Sequence, residues 1–294
     1  MTEFPDIRSE RPEDRKFHRF MQELMDRSDR WANIDIDALR QLAFYQFLLF
    51  GSTEEMAMAP KLGRLYSVLV ERAGERERLQ LLDYVTRSLS TNVGSVDSLL
   101  PFIFGDPEVA VVSGASFALA VFMPLQDGDP MTGPGVLRSM ADSASGETAR
   151  LGMLKGLLLL GDRRTLPFLD GCWETIGRSS RTRLADFGED AAYASQIDFL
   201  LGWMERTADM EDVHIAGEAL AGIPIRFGGR NVIDVERKFP ADASDGQPAI
   251  RVIGEWTFRE YGERIESRLT GMMRQKPVPA VIPKVLRSWR VPTG

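Results

Sequence analysis

Three prolines, Pro101, Pro134 and Pro167, recur at intervals of 33 residues, and an acidic residue precedes each: Asp97, Asp129 and Asp162. A period in the thirties is what stacked helix pairs show. The first copy reads Ser95-Val96-Asp97-Ser98-Leu99-Leu100-Pro101-Phe102-Ile103, and the third reads Leu160-Gly161-Asp162-Arg163-Arg164-Thr165-Leu166-Pro167-Phe168-Leu169. The second is degenerate, running from Asp127 through Pro130 to Pro134 and Val136. An aspartate suits the start of a helix because its carboxylate can accept a first-turn amide. Proline in the first turn forfeits no intrahelical bond.

Each copy therefore predicts a short helix, a turn and a second helix. In the third copy Leu166, Leu169, Trp173 and Ile176 fall on one stripe. The second helix of the first copy is expected to open at Asp106-Pro107-Glu108, with Asp106 as its cap, and to bury Val109, Val112, Ala115, Leu119 and Phe122. The equivalent helix of the second copy opens at Gly146-Glu147 and runs through Leu151, Leu154, Leu157 and Leu158 to Gly161, a C-cap glycine suited to a left-handed backbone.

The Leu100-Pro101-Phe102-Ile103, Asp106-Pro107-Glu108-Val109, Leu154 to Asp162 and Leu166-Pro167-Phe168-Leu169 stretches resemble the HEAT-like repeat family, including repeats of the bilin-lyase type. The resemblance covers residues 95 to 176 and, weakly, 190 to 224. It implies an all-α fold, an α-solenoid of helical hairpins. The arginine that such repeats often carry early in the second helix is present as Arg150, while Val111 or Val112 stands there in the first copy. A fainter likeness, Ala216-Gly217-Glu218-Ala219-Leu220-Ala221-Gly222-Ile223, is to HEAT-like proteins encoded near bacterial type VI secretion systems.

Around the repeats the expected organisation is an N-terminal helical region over 1–94, repeats over 95–223, an irregular insertion over 224–249 and C-terminal helices over 250–294. In the first region Phe17, Phe20, Leu24 and Trp31 mark one apolar side. Asp35 or Asp37 caps a nearly all-apolar helix through Leu42 to Phe50, and Leu79, Leu82, Val85 and Leu89 share the face of another helix. Residues 177–188 read as a polar link, and 189–204 and 209–223 as helices. The insertion contains two short β-rich pieces, 223–227 and 232–235, suited to a hairpin. A helix is expected from Trp256 to Met273, supported by Glu255/Arg259 and Glu260/Arg264 four residues apart.

Composition narrows function by chemistry. The net charge is −7, yet residues 250–294 hold nine cations against four acids, so the remainder is strongly acidic. An acidic body disfavours nucleic acid, and the basic end is expected either to meet an acidic partner protein or to pack back on its own acids. One cysteine, Cys172, excludes an internal disulfide, and a charged N-terminus offers no signal-like apolar run, so a cytoplasmic setting without a membrane span is expected.

No nucleotide-binding, hydrolase or kinase motif is present, and no cofactor is implied. His214 and Glu218 stand i, i+4, a spacing that suits two metal ligands or an acid–base pair, but a site needs a third ligand. His18 reads as a surface residue, Cys172 as a small core residue and Gly228-Gly229-Arg230-Asn231 as a turn. No catalytic or metal-binding residue is assigned. The expected function is a non-catalytic protein–protein scaffold contacting its partner near Arg150, Lys155, Arg178, Arg181, Arg183, Arg226, Arg230 and Trp256, since Trp and Arg favour binding hot spots. The alternative is a helical-repeat enzyme of the lyase or DNA-base glycosylase kind.

Overall fold

A computed structural model describes residues 16, 19–20, 23–24, 26–34, 38, 62–70, 72–90, 96–123, 132–170, 176–185, 192–227, 230–238, 249–274 and 279–290. Several sequence expectations lie outside these residues. They are Phe17 and His18, the Leu42 to Phe50 helix with its caps, Asp127 to Pro130, Cys172 and Trp173, residues 186–191, Gly228-Gly229, residues 239–248 and the side chain of Arg178.

The described residues are mostly helical, with one small sheet. It divides into two units: Met1–Pro124 with Ser143–Met153, and Leu125–Asp142 with Leu154–Gly294.

In the first unit α1 (Leu62–Leu69), α2 (Glu75–Ser90), α3 (Leu100–Gly105) and α4 (Val109–Phe122) follow a 3-10 turn at Ser28–Asn33. Pro101 sits in the first turn of α3, as its repeat position predicts. Helix α3 packs on α1 and α4, and α2 packs on α4. Leu81, Leu82, Val85 and Leu89 are buried from α2 while Leu79 is exposed, so the apolar face is rotated from the expected one. The rotation brings Arg78 inward.

Its partner is Asp106, which does not cap α4. That helix begins three residues later, and its N-cap residue, Glu108, makes no side-chain cap bond. The buried Asp106 carboxylate instead accepts Arg78 Nε–H at 2.8 Å, the Glu108 amide at 2.9 Å and the Tyr66 hydroxyl. Tyr66 stacks on Phe102, with centroids 3.5 Å apart. Burial, and then the neighbouring Asp106 charge, push the Tyr66 phenol above its ordinary range, so it stays a donor. Gly152 lies against Val112, where a β-carbon would collide with the valine side chain.

The second unit contains α5 (Thr132–Ser143), the C-terminal part of α6 (Glu147–Leu159), α7 (Leu166–Asp170), α8 (Arg178–Ala185), α9 (Ala194–Arg206), α10 (Met210–Phe227), α11 (Phe258–Met273) and α12 (Val281–Arg290). Pro134 and Pro167 again fall in first turns. Gly161 adopts φ 68°, and its missing side chain makes room for the Tyr193 ring. Asp162 caps the following 3-10 turn through the Arg164 amide at 2.9 Å.

Residues 178–185 are helical rather than a polar link, because Ser180, Leu184 and Ala185 are buried and Arg181 is tied to α10. The expected hairpin is also displaced. Ile223 to Phe227 completes α10, straight through Pro224, and the strands are β2 (Val232–Lys238) and β3 (Ala249–Trp256). A two-residue β1 (Ala192–Tyr193) pairs parallel with β2, giving the order β1-β2-β3 with β2 and β3 antiparallel.

Pro224 has a specific consequence. Having no N–H, it cannot bond the Leu220 carbonyl one turn back. That carbonyl accepts the buried Trp289 indole N–H at 2.9 Å instead, fixing α12 to α10. Gly217 lets α12 approach: a β-carbon there would lie 2.6 Å from Val281. Val281, Ile282, Val285 and Trp289 form the buried stripe of α12.

Candidate partner-binding surface

Helix α10 presents two faces. One buries Val213, Ala216, Gly217, Leu220 and Ala221. On the other, Ile215, Ala219 and Gly222 recur at steps of four and three, the spacing that aligns residues along one side of a helix. With Thr182 and Ala185 of α8 they line a groove of about 380 Å³, rimmed by His214, Glu218 and Arg226.

The groove walls are fixed by polar bonds. Arg181 of α8 donates Nε–H to the Ile176 carbonyl at 3.0 Å and forms an ion pair with the buried Asp212 of α10. Asp209 opens α10 by accepting the Glu211 amide at 2.9 Å. Glu218 is held by Lys284 of α12.

His214 and Glu218 do share one face, as their spacing predicts. Among the described residues no group of three His, Cys, Asp or Glu side chains is arranged to hold a metal ion.

The remaining predicted contact residues distribute as follows. Arg181 is a structural clamp. Lys155 reaches the Arg183 carbonyl at 3.4 Å, and Arg183 itself is exposed beside Thr182. Arg178 is the first residue of α8. Arg226 lines the groove, and Arg230 is exposed ahead of β2. Arg150 lies in the first unit and is half-buried. Trp256 ends β3 rather than starting a helix; its ring is half-buried, with the Arg264 guanidinium 4.5 Å from its centroid. The groove floor was missed by reading charge alone; the Ile215, Ala219, Gly222 spacing aligns these residues on one face but does not mark that face as open.

A second polar cluster joins the loop after Gly161 to the sheet and to α9 and α11. Arg163 bridges Asp198 at 2.8 Å and Asp234 at 2.6 Å. Arg268 adds Asp198 at 3.1 Å and Glu205 at 2.7 Å. Burial works against the Arg163 charge, but the hydrogen bond that Arg163 donates to Asp234 and the fields of both aspartates hold its pKa above the ordinary value. Burial likewise opposes the Asp162 charge. Bonds from Arg164 and from the Arg237 amide outweigh it and keep this carboxyl below the usual range. Arg237 is nearly buried, donates to the Leu160 carbonyl, and has its pKa lowered by burial. Tyr261, raised by burial and by Asp198, donates to the Ala194 carbonyl at 3.4 Å.

Several C-terminal cations pack back on acids of the same unit: Arg268 on Asp198 and Glu205, Lys284 on Glu218, Arg290 on Glu266. No described helix is long and apolar enough to cross a membrane. No family model matches the chain, and no curated protein or solved structure is significantly similar to it.

Proposed function

We propose that this chain is a non-catalytic protein-binding scaffold whose helical hairpins stack in the manner of HEAT-like repeats, and that its second unit takes a partner segment in the groove between α8 and α10. The observation that carries the reading is the groove itself: a floor of small and apolar side chains, open to solvent, with polar residues on the rim. Helical grooves of this composition receive apolar anchors of a partner segment, while rim charges select its register and orientation. Supporting it, the carboxylates of the neighbouring cluster pair with arginines of their own unit. An adaptor beside a bacterial secretion apparatus is the narrower form of this proposal, carried by the Ala216 to Ile223 likeness.

The test fills the groove without disturbing the core. Among the described residues, a β-carbon at Gly222 meets only Arg226 Nε, at 4.0 Å. Tagged wild-type chain and the Gly222→Leu variant are compared by pull-down from native lysate with quantitative mass spectrometry, alongside Arg226→Glu. A partner captured stoichiometrically by wild type and lost from Gly222→Leu at unchanged melting temperature supports the groove. Equal capture by both chains refutes it.

A further inference from the structure

Strand β3 is an edge strand, since the described sheet ends on it. Proteins usually blunt such edges with short length, lysine, proline or cover, because the outward N–H and C=O groups template pairing with another chain. Here the edge is eight residues long and carries Ile250, Val252 and Ile253 at 53%, 53% and 52% exposure. Ile250 and Val252 stand opposite Arg237 and Val235, so they share one face of the sheet. Ile253 is the extra residue where the register shifts between Asp234 and Val235. Between the two apolar residues, on the other face, Arg251 extends from the sheet; its side chain is 67% exposed and only loosely paired with Glu236, at 3.9 Å.

We infer that the outer edge of β3 accepts an extended strand from a partner protein, with a carboxylate opposite Arg251 and apolar residues on either side of it. Backbone bonds along the edge supply affinity, and alternating side chains supply selection. Charge disfavours a second copy of this chain in the register that would pair the exposed apolar residues of the two edges. The antiparallel register that sets Ile250 against Val252 of a second copy also sets Arg251 against Arg251, and directly opposed like charges destabilise a strand pair. A heterologous strand with an acid at that position replaces the repulsion with attraction. This surface is separate from the α8–α10 groove and does not depend on it.

The probe is a fluorescein-labelled ten-residue peptide alternating valine with glutamate in its central positions; its counterpart carries lysine for glutamate. Binding to the full chain is followed by fluorescence anisotropy at low ionic strength, and protection of residues 249–253 by hydrogen exchange. The acidic peptide is expected to bind about fivefold to tenfold more tightly than the basic one, to protect these amides, and to lose its advantage to the basic peptide in Arg251→Glu. The Gly222→Leu chain should bind it as wild type does, which keeps this outcome distinct from that of the groove. Equal binding of both peptides, no binding up to about 1 mM, or an order unchanged by Arg251→Glu overturns the inference. So does a concentration-dependent dimer whose interface protects residues 249–253.

Discussion

The indole N–H of Trp289 donates to the Leu220 carbonyl at 2.9 Å, the group that Pro224 leaves without its helical donor. The proline that would ordinarily weaken α10 thus creates an acceptor for α12. Trp289→Phe should lower stability by about 1–3 kcal/mol, because a buried carbonyl loses the donor that replaces its helical one. In a Pro224→Ala background the helix regains its own donor and the same change should cost less. Chemical denaturation of the four chains of this double-mutant cycle measures the coupling, and additive costs would show that the two residues act independently.

Gly217→Ala is expected to destabilise the chain by about 1–3 kcal/mol despite the better helix propensity of alanine, since the new methyl meets Val281 at 2.6 Å. Gly222→Ala, where space is open, should be neutral or stabilising by up to about 1 kcal/mol. Melting temperatures of the pair separate close approach from propensity.

Asp106→Ala strands a buried arginine, Arg78, and should cost about 3–5 kcal/mol, whereas Tyr66→Phe removes one donor and should cost about 1–2 kcal/mol. Urea unfolding gives both values. A cost for Asp106→Ala no larger than that for Tyr66→Phe would mean that the carboxylate is not the centre of this cluster.

Asp162 sets an acid limit. Its folded pKa lies below the unfolded value, so the stability it contributes is complete above the ordinary carboxylate pKa of about 4 and is lost as pH falls through the lower folded value. Asp162→Asn should be destabilised near neutrality and should show a flatter decline in stability on acidification. Parallel curves for both chains between about pH 6 and pH 2 would exclude Asp162 as a source of that decline.

At several positions of the repeat local chemistry and tertiary packing agree, and the sequence is readable there. Pro101, Pro134 and Pro167 start helices, Asp162 caps, and Gly161 takes the left-handed turn. Readability fails where packing overrides local preference. Ile223-Pro224-Ile225-Arg226-Phe227 has strand-like composition, but the Trp289 bond and the burial of Ile223 and Phe227 keep it helical. Asp106 has the form of a cap and is drawn instead into an ion pair with Arg78, a residue 28 positions away. At α11 the start is legible: Thr257 and Glu260 form a reciprocal capping box, so the helix begins after Trp256. Glu260 is thereby engaged with Thr257 rather than Arg264, and Arg264 lies over Trp256. In the candidate groove, small uncharged residues form the floor, and nothing in their identity distinguishes an open helix face from a buried one.

The parallel pairing of β1 with β2 bears on how the second unit reaches its native state. Ala192 meets Val232 only after the chain has passed through the whole of α9 and α10, and Asp162 bridges to Val235 across a still longer interval. Joining such distant segments carries a loop-closure cost that the local helices do not bear. A compact α9–α10 hairpin shortens the effective distance before the strands meet. The β1–β2 pairing is therefore expected to form late, and amides of β2 facing β1 should gain protection after those of α9 and α10 in pulse-labelled refolding.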